Sequence, residues 1–506
     1  MLDHARPAQP ETAIDVASAP GPDERIGRRR LAALLLCLGL FLGLLGLPAP
    51  EGMSEAGWAT AALVVLMAGL WLTEALPISA TALVPLAVGP LIGVGGIGTL
   101  AAPYASSLIF LLMGGFAIGL AMQSCGLHRR LALYILGICG ARADLVVGGV
   151  MLATAVLSMW ISNTATAAMM IPIGLSIVTL LAARDEAVAN QPLTVPMLLG
   201  VAFAANIGGI GTLIGTPPNA VLAGYVGDVY GIDIGFAQWM LIGLPVATVL
   251  LGLCWLVLTR VTYRLGALQI DGVSALVDRE RNGMGPVSTA EKRFGLIFGL
   301  TVVGWLLRPQ IDAALPDMEI TDAGIAMLAT VLFFAVPADL SRGRCLLDWE
   351  ATRDLPWGVL ILVGGGLSLG ALIQSQGLAD WIGEMLADLE HWPLPLTIAA
   401  VALATMLVSH VASNTATAAA LTPVATALAV TIGAAPVALG VPLALAASCA
   451  FMMPVATPPN AIAFGTGLVA SHQMARAGAL ISVVALAVVV LVGIVVARTG
   501  FGAIQG

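Results

Sequence analysis

Two short motifs, each present twice, carry the chemistry available to this chain, and both are uncharged. Ser162-Asn163-Thr164-Ala165-Thr166-Ala167-Ala168 recurs as Ser413-Asn414-Thr415-Ala416-Thr417-Ala418-Ala419, at an offset of 251 residues. Thr216-Pro217-Pro218-Asn219-Ala220 recurs as Thr457-Pro458-Pro459-Asn460-Ala461, at an offset of 241. Ser-Asn-Thr between two apolar arms is the soft place to reverse a chain, so each copy is expected at a hairpin tip. A helix restarting near Thr164 or Thr415 presents amides with partial positive charge, which hold a carboxylate without any buried Lys or Arg. The prolines of Pro217-Pro218 and Pro458-Pro459 each break a helix that would otherwise span, freeing carbonyls and turning Thr216 and Thr457 toward the gap.

Oxygen ligands gather at the same places. Ser158 precedes Ser162 by one turn, and Ser409 precedes Ser413 likewise, so each pair of hydroxyls shares a helix face. With Asn163, Asn414 and the carbonyls of Gly215 and Ala456 they form two candidate sites for a hard cation, for which sodium is the expected ion. The competing reading of Ser158 and Ser409 is a bond to the carbonyl four residues back. His410 lies beside Ser409 and four residues before Asn414. It either faces the site, where a charged ring would replace the cation, or is neutral and bonded to a backbone carbonyl, which is the expectation. Glu74 is either an intramembrane carboxylate or an interfacial cap, and the cap is expected. Gly208-Gly209 and Gly211 are read as softening the first break. Neither tip has a nucleophile with a base or a metal cluster beside it, which argues against an enzyme.

The elements that position these motifs are membrane helices. Of 506 residues, 59% are hydrophobic and 10% charged, against roughly 25% charged in a soluble domain, so a soluble globule is excluded. A net charge of −8 with only 21 Lys+Arg leaves no basic surface for nucleic acid. The six cysteines show no CxxC or Cys/His spacing, and neither disulfides nor zinc are expected. Apolar segments fall near 31–49, 57–75, 76–94, 106–126, 143–183, 197–228, 237–259, 293–308, 321–339, 356–376, 394–432, 441–470 and 477–498. Three of them, 143–183, 197–228 and 394–432, are too long for one crossing or are broken by Gly and Pro, which marks re-entrant or discontinuous elements. The fold class is therefore an all-α polytopic membrane protein of about 11 transmembrane helices plus two oppositely oriented re-entrant hairpins.

Residues 1–30 read as a disordered cytoplasmic N-terminus, and the apolar run from Leu31 is a first spanning helix rather than a signal peptide. Arg28 to Arg30, Arg129, Arg130, Arg142, Arg184, the arginines from Arg260 to Arg293, Arg342, Arg344, Arg353 and Arg476 all share the cytoplasmic side if the two hairpins are re-entrant from opposite sides. Arg308 is the exception. The C-terminus is then external, in a multi-pass plasma (inner) membrane protein. Residues 263–292 form the polar linker, with Ser288 and Glu291 as a capping box. Gly114-Gly115 and Gly126-Leu127 recur as Gly365-Gly366 and Gly377-Leu378, so the chain repeats, with inverted topology under this orientation. Such repeats place a binding site near the midplane, with two similar half-sites that suit a small dianion with two like ends. A channel would need a continuous polar pore, whereas two occluding hairpins indicate alternating access.

The paired Ser-Asn-Thr tips and Pro-Pro-Asn breaks, with Trp71-Leu72-Thr73-Glu74-Ala75-Leu76-Pro77, resemble the divalent anion:sodium symporter family over about 31–500. The resemblance implies a homodimer in which a scaffold (31–142 and 293–393) carries the dimer contact, while a transport domain (143–262 and 394–506) moves as an elevator. Hairpins 143–183 and 394–432 and broken helices 197–228 and 441–470 would belong to that moving part. It further implies anion contacts at Asn163, Thr164, Thr216, Ser413, Asn414, Thr415 and Thr457. One sodium would sit at Ser158, Ser162, Asn163 and Gly215, and a second at Ser409, Ser413, Asn414 and Ala456. Substrates in that family are C4 dicarboxylates, citrate or sulfate, and like half-sites favour a dicarboxylate such as succinate, malate or fumarate. Some members exchange dicarboxylates without sodium, which leaves sodium-independent or proton-coupled exchange as the alternative.

Overall fold

The computed structural model describes residues 22–140, 142–182, 193–265, 272–339, 343–385 and 391–499. The expected disorder of residues 1–21, Arg184, Arg342 and the C-terminal residues 500–506 lie outside them. Helices dominate the described chain, and its one sheet is a short pairing of Pro337–Asp339 with Arg344–Cys345. Among the described residues, eight helices are long and apolar enough to cross a membrane, from Arg29–Gly46 to Ser471–Thr499. The chain is thus a polytopic all-α membrane protein.

Both long broken segments follow their motifs. Helix Ala143–Ser158 turns at residues 159–162 into Asn163–Ala182, and Leu394–Val411 turns at 412–413 into Asn414–Thr431. Thr194–Ile210 restarts as Pro217–Tyr230, and Pro436–Ala447 restarts as Pro458–Gly465. In both restarts the prolines occupy the first helical positions, where a missing N–H costs nothing.

Three expectations are corrected. The first helix begins at Pro22, so residues 22–30 are helical rather than disordered. The segment 76–94 is not a crossing helix but two short pieces, Ile78–Thr81 and Val84–Val88. Pro77, Pro85 and Pro90 remove backbone donors within one short stretch, and the chain cannot hold a continuous ladder through it. The polar linker, expected as a loop up to its capping box, contains a helix: Val273–Gly283 lies against Leu127–Ile138, an amphipathic helix that hydropathy alone did not single out. The capping box at Ser288 and Glu291 is present.

The arginine-rich end is knitted together. Arg142 and Arg260 both reach the fully buried Asp144, at 2.8 and 2.7 Å, and Arg130 meets Glu291 at 2.6 Å. Arg308, the exception to the charge pattern, is paired rather than free, at 2.8 Å from Asp233 and 3.6 Å from Asp322. Asp322 Oδ2 also accepts from the Phe236 amide at 2.7 Å, which ties the start of Phe236–Leu256 to the start of Asp322–Ala335.

Candidate functional site

At the first tip the helix ends on Ser158, which is fully buried. Its Oγ lies 2.7 Å from both the Asn163 side-chain oxygen and the Ala205 carbonyl. One hydroxyl has one proton and donates to only one of these acceptors. The inner amide atom of Asn163 is also 3.2 Å from the carbonyls of Ala205 and Gly215, and a nitrogen at that place would donate to both. The cluster is therefore self-sufficient only with the amide nitrogen inward. With the oxygen inward, four oxygens converge with one proton among them, an arrangement that a cation completes.

The second tip repeats this triangle. Ser409 Oγ lies 2.7 Å from the Asn414 side-chain oxygen and 2.6 Å from the Ala447 carbonyl. The competing expectation for both serines, a bond to the carbonyl four residues back, is not what they do. Ala205 and Ala447 were missed by sequence reasoning, because an alanine contributes only its carbonyl and nothing in its type marks it. Ser162 Oγ accepts from the Ala165 amide at 3.3 Å, a local cap, and Ser413 makes no side-chain cap bond.

The breaks are held by their asparagines. Asn219 Nδ2 donates to the carbonyls of Thr212 at 2.8 Å and Gly209 at 3.2 Å, and Asn460 Nδ2 donates to those of Ala450 and Met453, both at 3.1 Å. Each Pro-Pro-Asn thus unwinds a helix and satisfies part of what it unwound. Thr457 Oγ1 accepts from Asn206 Nδ2 at 3.0 Å, a bond between the two halves. Asn206 is a further residue that the sequence reading did not find. Gly208 and Gly209 do more than soften the break. A Cβ on Gly208 would lie 2.3 Å from the Ala155 carbonyl, and one on Gly209 would lie 2.6 Å from the Asn163 amide oxygen. Only glycine lets this helix approach the hairpin so closely.

Both tips and both breaks open on one cavity of about 810 Å³. Ser162, Asn163, Thr164, Gly215, Thr216, Pro217, Ser413, Asn414, Thr415, Ala456, Thr457, Pro458 and Pro459 line it, together with Asn206. Pro218 is not on its wall, and Ser158 and Ser409 lie behind it under their asparagines. The helices that begin at Asn163 and Asn414 point their N-terminal amides at the same space, which suits a small anion. His410 is not on the wall: its Nδ1 lies 2.6 Å from the Met406 carbonyl and its Nε2 3.4 Å from Ser482 Oγ.

Residues 28–499 match the family described as the sodium:sulfate symporter transmembrane region. The chain is 38% identical over 472 residues to the sodium-dependent dicarboxylate transporter SdcS of Staphylococcus aureus strain USA300, covering 92% of this chain and 90% of that protein. The SdcS of strain bovine RF122 / ET3-1 matches to the same extent. Among solved structures, the Alcanivorax borkumensis YdaH transporter superposes with a TM-score of 0.56 at 17% identity, covering 94% of this chain and 98% of that one. Neisseria gonorrhoeae MtrF gives 0.54 at 15%, covering 92% and 94%. These two likenesses concern the fold. The chain belongs to the sodium:sulfate symporter transmembrane-region family and is a transporter, not an enzyme.

Proposed function

We infer that this family member is a sodium-coupled symporter of C4 dicarboxylates such as succinate, malate or fumarate. The observation that carries the reading is the single cavity onto which two like, uncharged half-sites open, each with a helix N-terminus for one carboxylate and an oxygen cluster behind it for one cation. A dianion with two like ends fills both halves, while tetrahedral sulfate would leave one poorly filled. The dicarboxylate and sodium dependence named for the Staphylococcus aureus relatives support the same reading.

In this reading Asn163, Thr164, Thr216, Ser413, Asn414, Thr415 and Thr457 bind the anion. Ser158, Ser162, Asn163 and Gly215, with Ala205 added, hold one sodium; Ser409, Ser413, Asn414 and Ala456, with Ala447 added, hold the other. Residues 143–262 and 394–506 move as an elevator against a scaffold of 31–142 and 293–393 in a homodimer. The N-terminus is cytoplasmic and the C-terminus external. Carrying no lysine or arginine in the site avoids dragging a fixed cation through the bilayer.

Uptake of labelled succinate into proteoliposomes, with and without an inward sodium gradient, tests the proposal. Sodium-stimulated, saturable uptake is expected. Exchange that ignores sodium would replace symport by antiport, and flux that does not saturate would indicate a channel.

A further inference from the structure

We propose that Glu74 is a charge-selecting residue of the central cavity, a carboxylate fixed on its wall that penalises each ligand in proportion to the ligand's negative charge. The proposal rests on the anion-binding reading of the cavity but not on which anion is carried. Glu74 is exposed and lines the same space as the two tips, and it is the one ionisable side chain among the described residues that do so. It occupies the C-cap position of its helix and also lines the cavity.

Its backbone is unusual. Glu74 ends helix Glu55–Thr73 at φ 48° and ψ 32°, and only Arg264 among the other described non-glycine residues has a positive φ. Glycine or asparagine takes this left-handed position more readily. A glutamate held there points to a use for its side chain rather than to a need of the turn. The turn is anchored on both sides: Trp71 Nε1 donates to the Ile78 carbonyl at 3.2 Å, and Ser79 Oγ donates to the Gly358 carbonyl at 3.1 Å. Ile78, Ser79 and Gly358 line the cavity beside Glu74. The carboxylate is therefore carried on a braced wall of the cavity it shares with the tips, whose own contribution is only the partial charge of helix ends.

A fixed charge in a concave, low-dielectric cleft acts through Coulomb's law, and its effect on binding scales with ligand charge. The helix ends attract any anion, whereas Glu74 weakens a trianion more than a dianion and a dianion more than a monoanion. It also favours cations at the tips. The residue thus biases the cavity toward dicarboxylates over tricarboxylates of similar shape.

The test compares purified wild type with Glu74→Gln and with Glu74→Asn, a neutral residue that tolerates the left-handed backbone. Affinities for butyrate, succinate, sulfate and tricarballylate are measured at pH 8 by ligand-induced thermal stabilisation, at low ionic strength and in 0.5 M choline chloride. Which anion stabilises the wild type tests the substrate reading. How the variants change the series tests Glu74. At low ionic strength both variants are expected to tighten binding on the order of two- to five-fold per unit of ligand charge, a change that high salt removes. The sodium concentration for half-saturation rises in the same variants. A change equal for all four anions, a change insensitive to salt, or no change would overturn the proposal.

Discussion

The two half-sites share seven identical residues at each tip, yet they are built differently around them. The triangles of Ser158, Asn163 and Ala205 and of Ser409, Asn414 and Ala447 agree to within 0.1 Å in their hydrogen-bonding distances. The surroundings do not agree. The first tip unwinds over four residues and the second over two. Trp160, beside the first tip, stacks on Phe236 and meets Phe298 edge-on. The corresponding Val411 is an exposed apolar residue. The first break runs from 211 to 216 and the second from 448 to 457. Thr457 is held by Asn206 of the other half, while Thr216 makes no side-chain cap bond. The lesson is that the triangles are duplicated because their serine–asparagine pair is local, five residues apart, and the repeat brings an equivalent helix carbonyl against each pair, whereas the outer support is not duplicated, because each half packs against different neighbours.

The sharpest way to break this comparison is at the close approach found in the first half. Gly208→Val places a branched side chain against the Ala155 backbone, which cannot yield. Overpacking of this kind costs about 1–3 kcal/mol and more where backbone is struck. The variant is expected to give little monodisperse protein by fluorescence-detected size exclusion. Cys449→Val, at the corresponding place in the second half by the 241-residue offset of the breaks, is expected to be milder. Equal loss in both would mean that the two halves are equally tight.

Next in size are the tips themselves. Asn163→Ala and Asn414→Ala each remove an amide that serves both sides of its half-site, at a cost of about 1–3 kcal/mol of ligand binding. Uptake is expected to fall by roughly ten-fold to a hundred-fold in each, with normal expression and size-exclusion profile. Equal falls would show the half-sites to be functionally equivalent, and normal uptake in both would reduce the motifs to structural caps. Asn163→Asp sharpens the point, since a carboxylate keeps oxygen toward the cation but has no N–H for the anion. Sodium-induced thermal stabilisation is expected to survive in it and succinate binding to be lost.

A smaller effect is expected from Asn206→Ala. It frees Thr457 in the second half without touching the first triangle, so the KM for substrate is expected to rise a few-fold while kcat changes little, consistent with one lost neutral hydrogen bond of about 1 kcal/mol. An unchanged KM would mean that Thr457 needs no support from the first half. His410→Gln is expected to do least, less than two-fold, with the same sodium dependence at pH 6 and pH 8, because the ring is bonded to the Met406 carbonyl and Ser482. Uptake that becomes sodium-dependent only in this variant would instead make His410 the substitute cation.

The sequence by itself determined the membrane class, the repeat, the two hairpin tips, the two breaks and the residue types that line the cavity between them. These follow from composition and from the local geometry of proline, of helix ends and of residues spaced by one turn, none of which needs a distant partner. The tertiary structure alone decided the rest. It chose the carbonyls of Ala205 and Ala447, gave the asparagines of Pro-Pro-Asn the task of bonding the unwound backbone, and turned the glycines of the first break into a close contact. It also broke the segment 76–94 and brought Glu74 to the cavity wall. The physical reason is that every residue carries the same carbonyl and the same amide. Which of them faces a tip depends on where another helix comes to rest, and residue type does not encode that contact.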